Sequence, residues 1–195
     1  MTGYCHYALK EWSVTVDSLL AGRQITLLRK GGIHEQRNGF HLEDRRFFLF
    51  PTHVHQSLHT LHPSFQVDFG QRHRTKTATI TMNTYAEVEE LIPISNLEAL
   101  RGLDGRHTLN WATVEQRFSY RNRPGLNLLL LRVYHLPVAH QIQNIDRYDE
   151  CVSWVELENP LAISGAEPVL AANAFQDQVE DIRRLAASDR HARLQ

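Results

Sequence analysis

Residues 114–136 read VEQRFSYRNRPGLNLLLLRVYHL. The Pro124-Gly125 pair is a strong turn signal, and the segment after it, Leu126 to Leu136, is apolar on both faces. A strand buried on both faces runs through the middle of a sheet, so this segment is the expected centre of the fold. The turn places Val114 to Tyr120 before it as the other arm of a hairpin. Working outward, Trp12 to Val16, Gln24 to Leu28, Arg46 to Phe50, Thr77 to Met82 and the CVSWVEL stretch read as further strands. Ser95 with Glu98 three residues later has the pattern of a capped helix running to Leu103. Phe175, Val179, Ile182 and Leu185 recur at helical spacing near the end of the chain. The expected fold class is α+β: one domain over residues 1–187 on a curved mixed sheet or small β-barrel. It should hold six to eight strands, two or three helices with an amphipathic one last, and a polar tail over 188–195.

With 195 residues, 42% of them hydrophobic, the chain can bury one substantial core. Its formal charge of -1 provides no global attraction to polyanions, so any nucleic-acid contact needs a local patch. Eighteen arginines stand against three lysines, a bias that suits forked recognition of phosphate or carboxylate and that a GC-rich coding sequence would also produce. Cys5 and Cys151 lie too far apart in sequence to suggest a disulfide framework or a cysteine zinc site. No apolar run approaches a membrane span, and the N-terminus does not read as an export signal, so a cytoplasmic location is expected.

The chemistry concentrates in residues 27–56, LLRKGGIHEQRNGFHLEDRRFFLFPTHVHQ. Arg29 and Lys30 stand at a strand end beside Gly31 and Gly32, whose backbone amides allow close approach of an anion. The alternative is a solvated turn. His55, with Gln56 beside it as a further polar contact, follows a buried strand and suits proton transfer near neutral pH. Glu43 is a candidate to orient it, and His107 a second proton carrier. His53, His55, His59 and His62 crowd into ten residues, which raises metal binding as another reading, although no compact ligand motif accompanies them. Arg72, Arg74 and Lys76 form the strongest basic run, suited to tracking a phosphate backbone. No P-loop, dinucleotide loop, serine elbow or paired glycosidase acids appear, and no cofactor is called for.

The segments ALKEW, LLRKGGI, FLFPTHVHQ, RVY and SWVEL, spread from Ala8 to about Phe175, resemble the bacterial family called domain of unknown function 1802. That resemblance implies a cytoplasmic bacterial protein and no assigned activity. Gly22 to Arg29 is also similar in spacing to the Gly-x-Lys-x-x-Glu-x-Arg signature of the activating-signal-cointegrator homology (ASCH) group of pseudouridine-synthase-like (PUA) barrels, small RNA-associated domains. Gly22 and Arg29 fit that signature, but Gln24 replaces its lysine and Leu27 its glutamate. The leading expectation is a domain that binds a phosphate-bearing ligand, nucleic acid or nucleotide, with hydrolytic or phosphodiester chemistry open. The alternatives are a noncatalytic interaction module of a larger assembly and a metal-dependent hydrolase using the histidine cluster.

Overall fold

A computed structural model describes residues 3–30, 45–71, 77–150 and 152–187. The chain runs β1 (Tyr4–Trp12), α1 (Ser13–Leu20), β2 (Thr26–Arg29), β3 (Arg46–Thr52) and β4 (Thr79–Ile94). Then follow α2 (Leu97–Arg101), α3 (Trp111–Phe118), β5 (Leu126–Gln143), β6 (Trp154–Ala162), β7 (Glu167–Pro168) and α4 (Ala172–Ala187). Seven strands form one mixed sheet in the order β2-β5-β4-β3-β1-β6, with β7 also paired to β5. Only β1 and β3 run parallel among the paired strands.

As its composition predicts, β5 lies inside the sheet, between β4 and β2. Its residues Leu128, Leu129, Leu130 and Leu131 are all buried, and each such leucine contributes about 2 kcal/mol of apolar burial. The sheet is curved but not closed into a barrel. His140 near the end of β5 donates through Nε2 to the Ala162 carbonyl of β6 at 2.8 Å, which draws the sheet's two sides together. The final amphipathic helix packs Phe175, Val179 and Ile182 of α4 onto a core shared with α2, α3 and the leucines of β5. No helix among the described residues is long and apolar enough to cross a membrane.

Two expected strands are helices, so the described residues hold four α-helices rather than two or three. Trp12 to Val16 looks alternating, yet β1 ends at Trp12 and α1 begins at Ser13. This helix is buried on nearly every side, through Val14, Thr15, Val16, Ser18 and Leu19, so its hydrophobic residues do not mark out one helical face by which to separate helix from strand. Val114 to Tyr120 lies mostly within α3, where the Asn110 side chain accepts the Thr113 N–H at 3.0 Å. Val114 and Phe118, one helical turn apart, are buried together. The Pro124-Gly125 turn therefore joins a helix to β5. At α2 the cap is Asn96, which accepts from the Glu98 N–H at 2.9 Å, one residue beyond the expected Ser95.

Candidate functional site

The FLFPTHVHQ segment leaves β3 and folds back onto the start of α1. Gln56 Oε1 accepts from the Ser13 hydroxyl at 3.1 Å and from the Val14 N–H at 3.3 Å, so its side chain caps the helix. His53 Nδ1 lies 3.1 Å from the same Ser13 hydroxyl, and Trp12 Nε1 donates to the Val54 carbonyl at 3.2 Å. Gln56 is thus a folding contact at the head of α1. His55 sits on the exposed outer side of this loop in a left-handed conformation, φ 59°. The histidine cluster does not converge: His62 pairs with Ser64 at 2.7 Å and stands 4.0 Å from Asp104. No three potential metal ligands among the described residues gather around one point.

Arg29 and Lys30 turn to different partners. Arg29 forms an ion pair with Glu11, and both side chains are largely buried. Lys30 Nζ donates to the carbonyls of Phe118 at 2.7 Å and Gly125 at 2.8 Å, and to that of Arg123. An ammonium has three protons, and here three carbonyls take them. Lys30 has no spare donor for a phosphate oxygen and instead ties the end of β2 to the turn between α3 and β5. The expected pairing of both cations with His55 is therefore not what the side chains make. Gly31, Gly32, Glu43, Arg72, Arg74 and Lys76 lie outside the described residues.

Arg29's partner leads to a different concavity. Between the start of α1, β2, α3 and the segment before α3 lies a recess of about 260 Å³ counted out to its open mouth, with interior room for about one water. Leu27, Leu28 and Leu109 supply its apolar wall. Thr15, Thr26 and Thr108 line it from the buried side, with the Thr15 and Thr108 hydroxyls 2.7 Å apart and Thr26 donating to the Arg106 carbonyl. Gln24 and His107, each 2% exposed, complete the polar lining. Glu11, Trp12 and Arg117 are half-buried and border the mouth.

Among the described residues, three of these buried polar atoms lack a well-formed hydrogen bond: Gln24 Oε1 and the two ring nitrogens of His107, whose nearest backbone influence is Leu109. Gln24's amide nitrogen is used, donating to the Thr26 carbonyl at 2.9 Å. Burial is the main cause that lowers the His107 pKa to about 4, against weaker opposing effects of Asp104 and the Leu109 backbone. The imidazole is therefore neutral at pH 7, presenting one N–H donor and one bare nitrogen acceptor. At the mouth, the Arg117 guanidinium lies over the Trp12 ring, 5.0 Å from its centroid, with no hydrogen-bond acceptor among the described residues. Burial lowers its pKa, Glu11 opposes that shift and Arg29 adds to it, but an arginine so placed stays charged. Glu11 is paired directly with Arg29 and acts on Arg117 only electrostatically.

Of the expected site residues, His107 lines this recess, and Arg29 touches it through its ion pair with Glu11. The sequence reading missed Arg117, Trp12 and the threonines, and noticed Gln24 only as a departure from a signature. A signal for Arg117 existed once residues 111–118 are read as a helix: it follows Val114 by three, on the inward flank beside Phe118.

Comparison with known proteins bears on the whole chain. Among solved structures the neighbours are ASCH domains. The chain is similar to ASCH from Zymomonas mobilis, with TM-score 0.43 and 10% identity over 89% of this chain and 93% of that one. A tyrosine-to-phenylalanine mutant of that protein matches at TM-score 0.40 and 14% identity, over 89% and 96% of the two chains. A serine-to-alanine mutant matches at 0.40 and 13%, over 89% and 94%. Comparison with curated proteins finds no match. The family model described as "Domain of unknown function (DUF1802)" matches residues 8–181, a span that contains every element from the ALKEW strand to most of α4. By that match the chain belongs to the DUF1802 family.

Proposed function

We propose that this protein binds a phosphate-bearing ligand, a nucleic acid or a nucleotide, at the recess between α1, β2 and α3, with Arg117 receiving the phosphate. The observation that carries the reading is a charged, half-buried guanidinium with no acceptor among the described residues, beside a recess lined by Gln24 and His107, whose polar atoms lack well-formed partners among those residues. Buried polar atoms left without a partner cost about 1–3 kcal/mol each, a cost relieved by whatever hydrogen-bonds to them. The guanidinium's planar set of donors matches a phosphate better than a lysine would, and Trp12 holds that plane in place.

The reading is binding without turnover. A general acid at neutral pH needs a charged, readily lost proton, and His107 becomes an imidazolium only below about pH 4. His55, exposed and on a loop, has no charged partner in the described structure to form a dyad. A second reading has a specific observation in its favour. Lys30 and Gln56 spend their side-chain hydrogen bonds on the fold, as expected if the family's motifs build a noncatalytic interaction module.

The test is a binding titration of short single-stranded RNA, DNA and free nucleotides at several salt concentrations, on the native protein and on Arg117→Gln. The proposal expects binding that weakens with salt, and a variant whose salt dependence is shallower by about one phosphate contact. Native and variant proteins that bind alike, or no binding at low salt, favour the interaction module instead.

A further inference from the structure

The proposed phosphate site has a back wall whose chemistry is uncharged. Behind Arg117, the unpartnered atoms are an amide oxygen on Gln24 and the two nitrogens of a neutral imidazole on His107. A second phosphate oxygen would bring negative charge against Gln24 Oε1 and the bare imidazole nitrogen, both acceptors. The interior therefore disfavours an anion and favours a neutral group that both donates and accepts. Its size sets the other limit: it has room for about one water, too little for an aromatic ring. A hydroxyl meets both conditions, with one proton to donate to Gln24 Oε1 and lone pairs to accept the His107 N–H.

We propose that the recess takes the ribose 2′-hydroxyl of a ligand whose phosphate lies on Arg117, so that the protein distinguishes ribonucleotide from deoxyribonucleotide. This rests on the phosphate reading, because a sugar hydroxyl is delivered to the recess only when the neighbouring phosphate is held at its mouth. Gln24 and His107 are then specificity residues. Neither contributes the charge that makes binding salt-dependent. The 2′-hydroxyl is the group by which a protein tells RNA from DNA at a given position.

The experiment compares, at one salt concentration, short oligonucleotides of a single sequence as RNA, as DNA and as 2′-fluoro strands, which keep the RNA sugar pucker but cannot donate. Ribo- and deoxyribonucleoside monophosphates form a second arm that separates a strand from a free nucleotide. The expected result is RNA bound about tenfold more tightly than either other strand, the size of one well-made buried hydrogen bond. In His107→Phe that preference falls to about one. Gln24→Met, on the opposite wall, does the same and covers the case in which the phenylalanine variant does not fold. RNA and DNA bound equally by the native protein, both weakened by salt, overturn the hydroxyl pocket and leave the phosphate reading standing. A 2′-fluoro strand that binds as RNA does also overturns it. If neither nucleic acid nor nucleotide binds at low salt, the phosphate reading fails and this inference fails with it.

Discussion

Lys30 and His107 stand at two ends of the same helix, α3, and their surroundings are opposite in kind. Around Lys30 every donor has an acceptor: three protons meet the carbonyls of Phe118, Arg123 and Gly125. Around His107 the arithmetic is left open, with two ring nitrogens and the Gln24 oxygen lacking well-formed partners among the described residues. A completed polar cluster locks backbone segments to each other and leaves nothing for a ligand. An incomplete one, reached from a half-open mouth, is where a ligand adds stability. The contrast places folding at the cationic end of β2 and recognition at the recess, although in sequence Lys30 looks the more functional of the two.

That contrast is broken most severely at Lys30. Lys30→Met strands three carbonyls, and the expected loss is about 4 kcal/mol after discounting three charged hydrogen bonds for partial exposure. Chemical denaturation reads it directly; a neutral outcome would mean that the turn is held by something else. Next comes acid. The His107 pKa is depressed from 6.5 to about 4 in the fold, so between those values the unfolded chain binds the proton that the folded one refuses. Its contribution to stability is therefore complete above pH 6.5 and lost as pH falls toward 4, by about 3 kcal/mol in total. Comparing denaturation at pH 7 and pH 4.5 in the native protein and in His107→Phe isolates this component, which the variant lacks.

Smaller effects sharpen the comparison. Arg29→Met leaves Glu11 largely buried without its partner and should cost about 2 kcal/mol, measured by the same denaturation. Arg117→Gln removes a guanidinium that has no acceptor, so stability should move by no more than about 0.5 kcal/mol while nucleic-acid affinity drops several-fold. An Arg117 variant that unfolds as readily as a Lys30 variant would place both side chains in the folding class.

The division between what sequence showed and what it hid has physical causes. β5 was legible because Leu128 to Leu131 are apolar on both faces, as only an interior strand requires, and α4 because Phe175, Val179 and Ile182 keep helical period on one buried stripe. The helices α1 and α3 were not legible. The first is buried all round, and the second owes its start to the Asn110 cap rather than to a long periodic run. The recess was hidden for a related reason. Its polar residues come from the start of α1, from Gln24 before β2, from His107 and Thr108, and from Arg117 on α3, and only tertiary packing joins them. His107 stood out as a residue type, but its burial, which sets its proton affinity, is a property of the fold. Gln56 showed the reverse: conspicuous in sequence beside His55, it caps a helix.

A ligand that reaches the open polar atoms behind Arg117 must perturb the His107 ring, so the ring is the place to look for it. Side-chain NMR of the two imidazole nitrogens, followed while a short RNA strand is titrated in at pH 7, should show the neutral tautomer at the outset and a saturable shift of both nitrogens. The midpoint of that shift should equal the binding constant and move with it in Arg117→Gln. Ring signals that stay fixed while RNA binds elsewhere on the protein would contradict the claim.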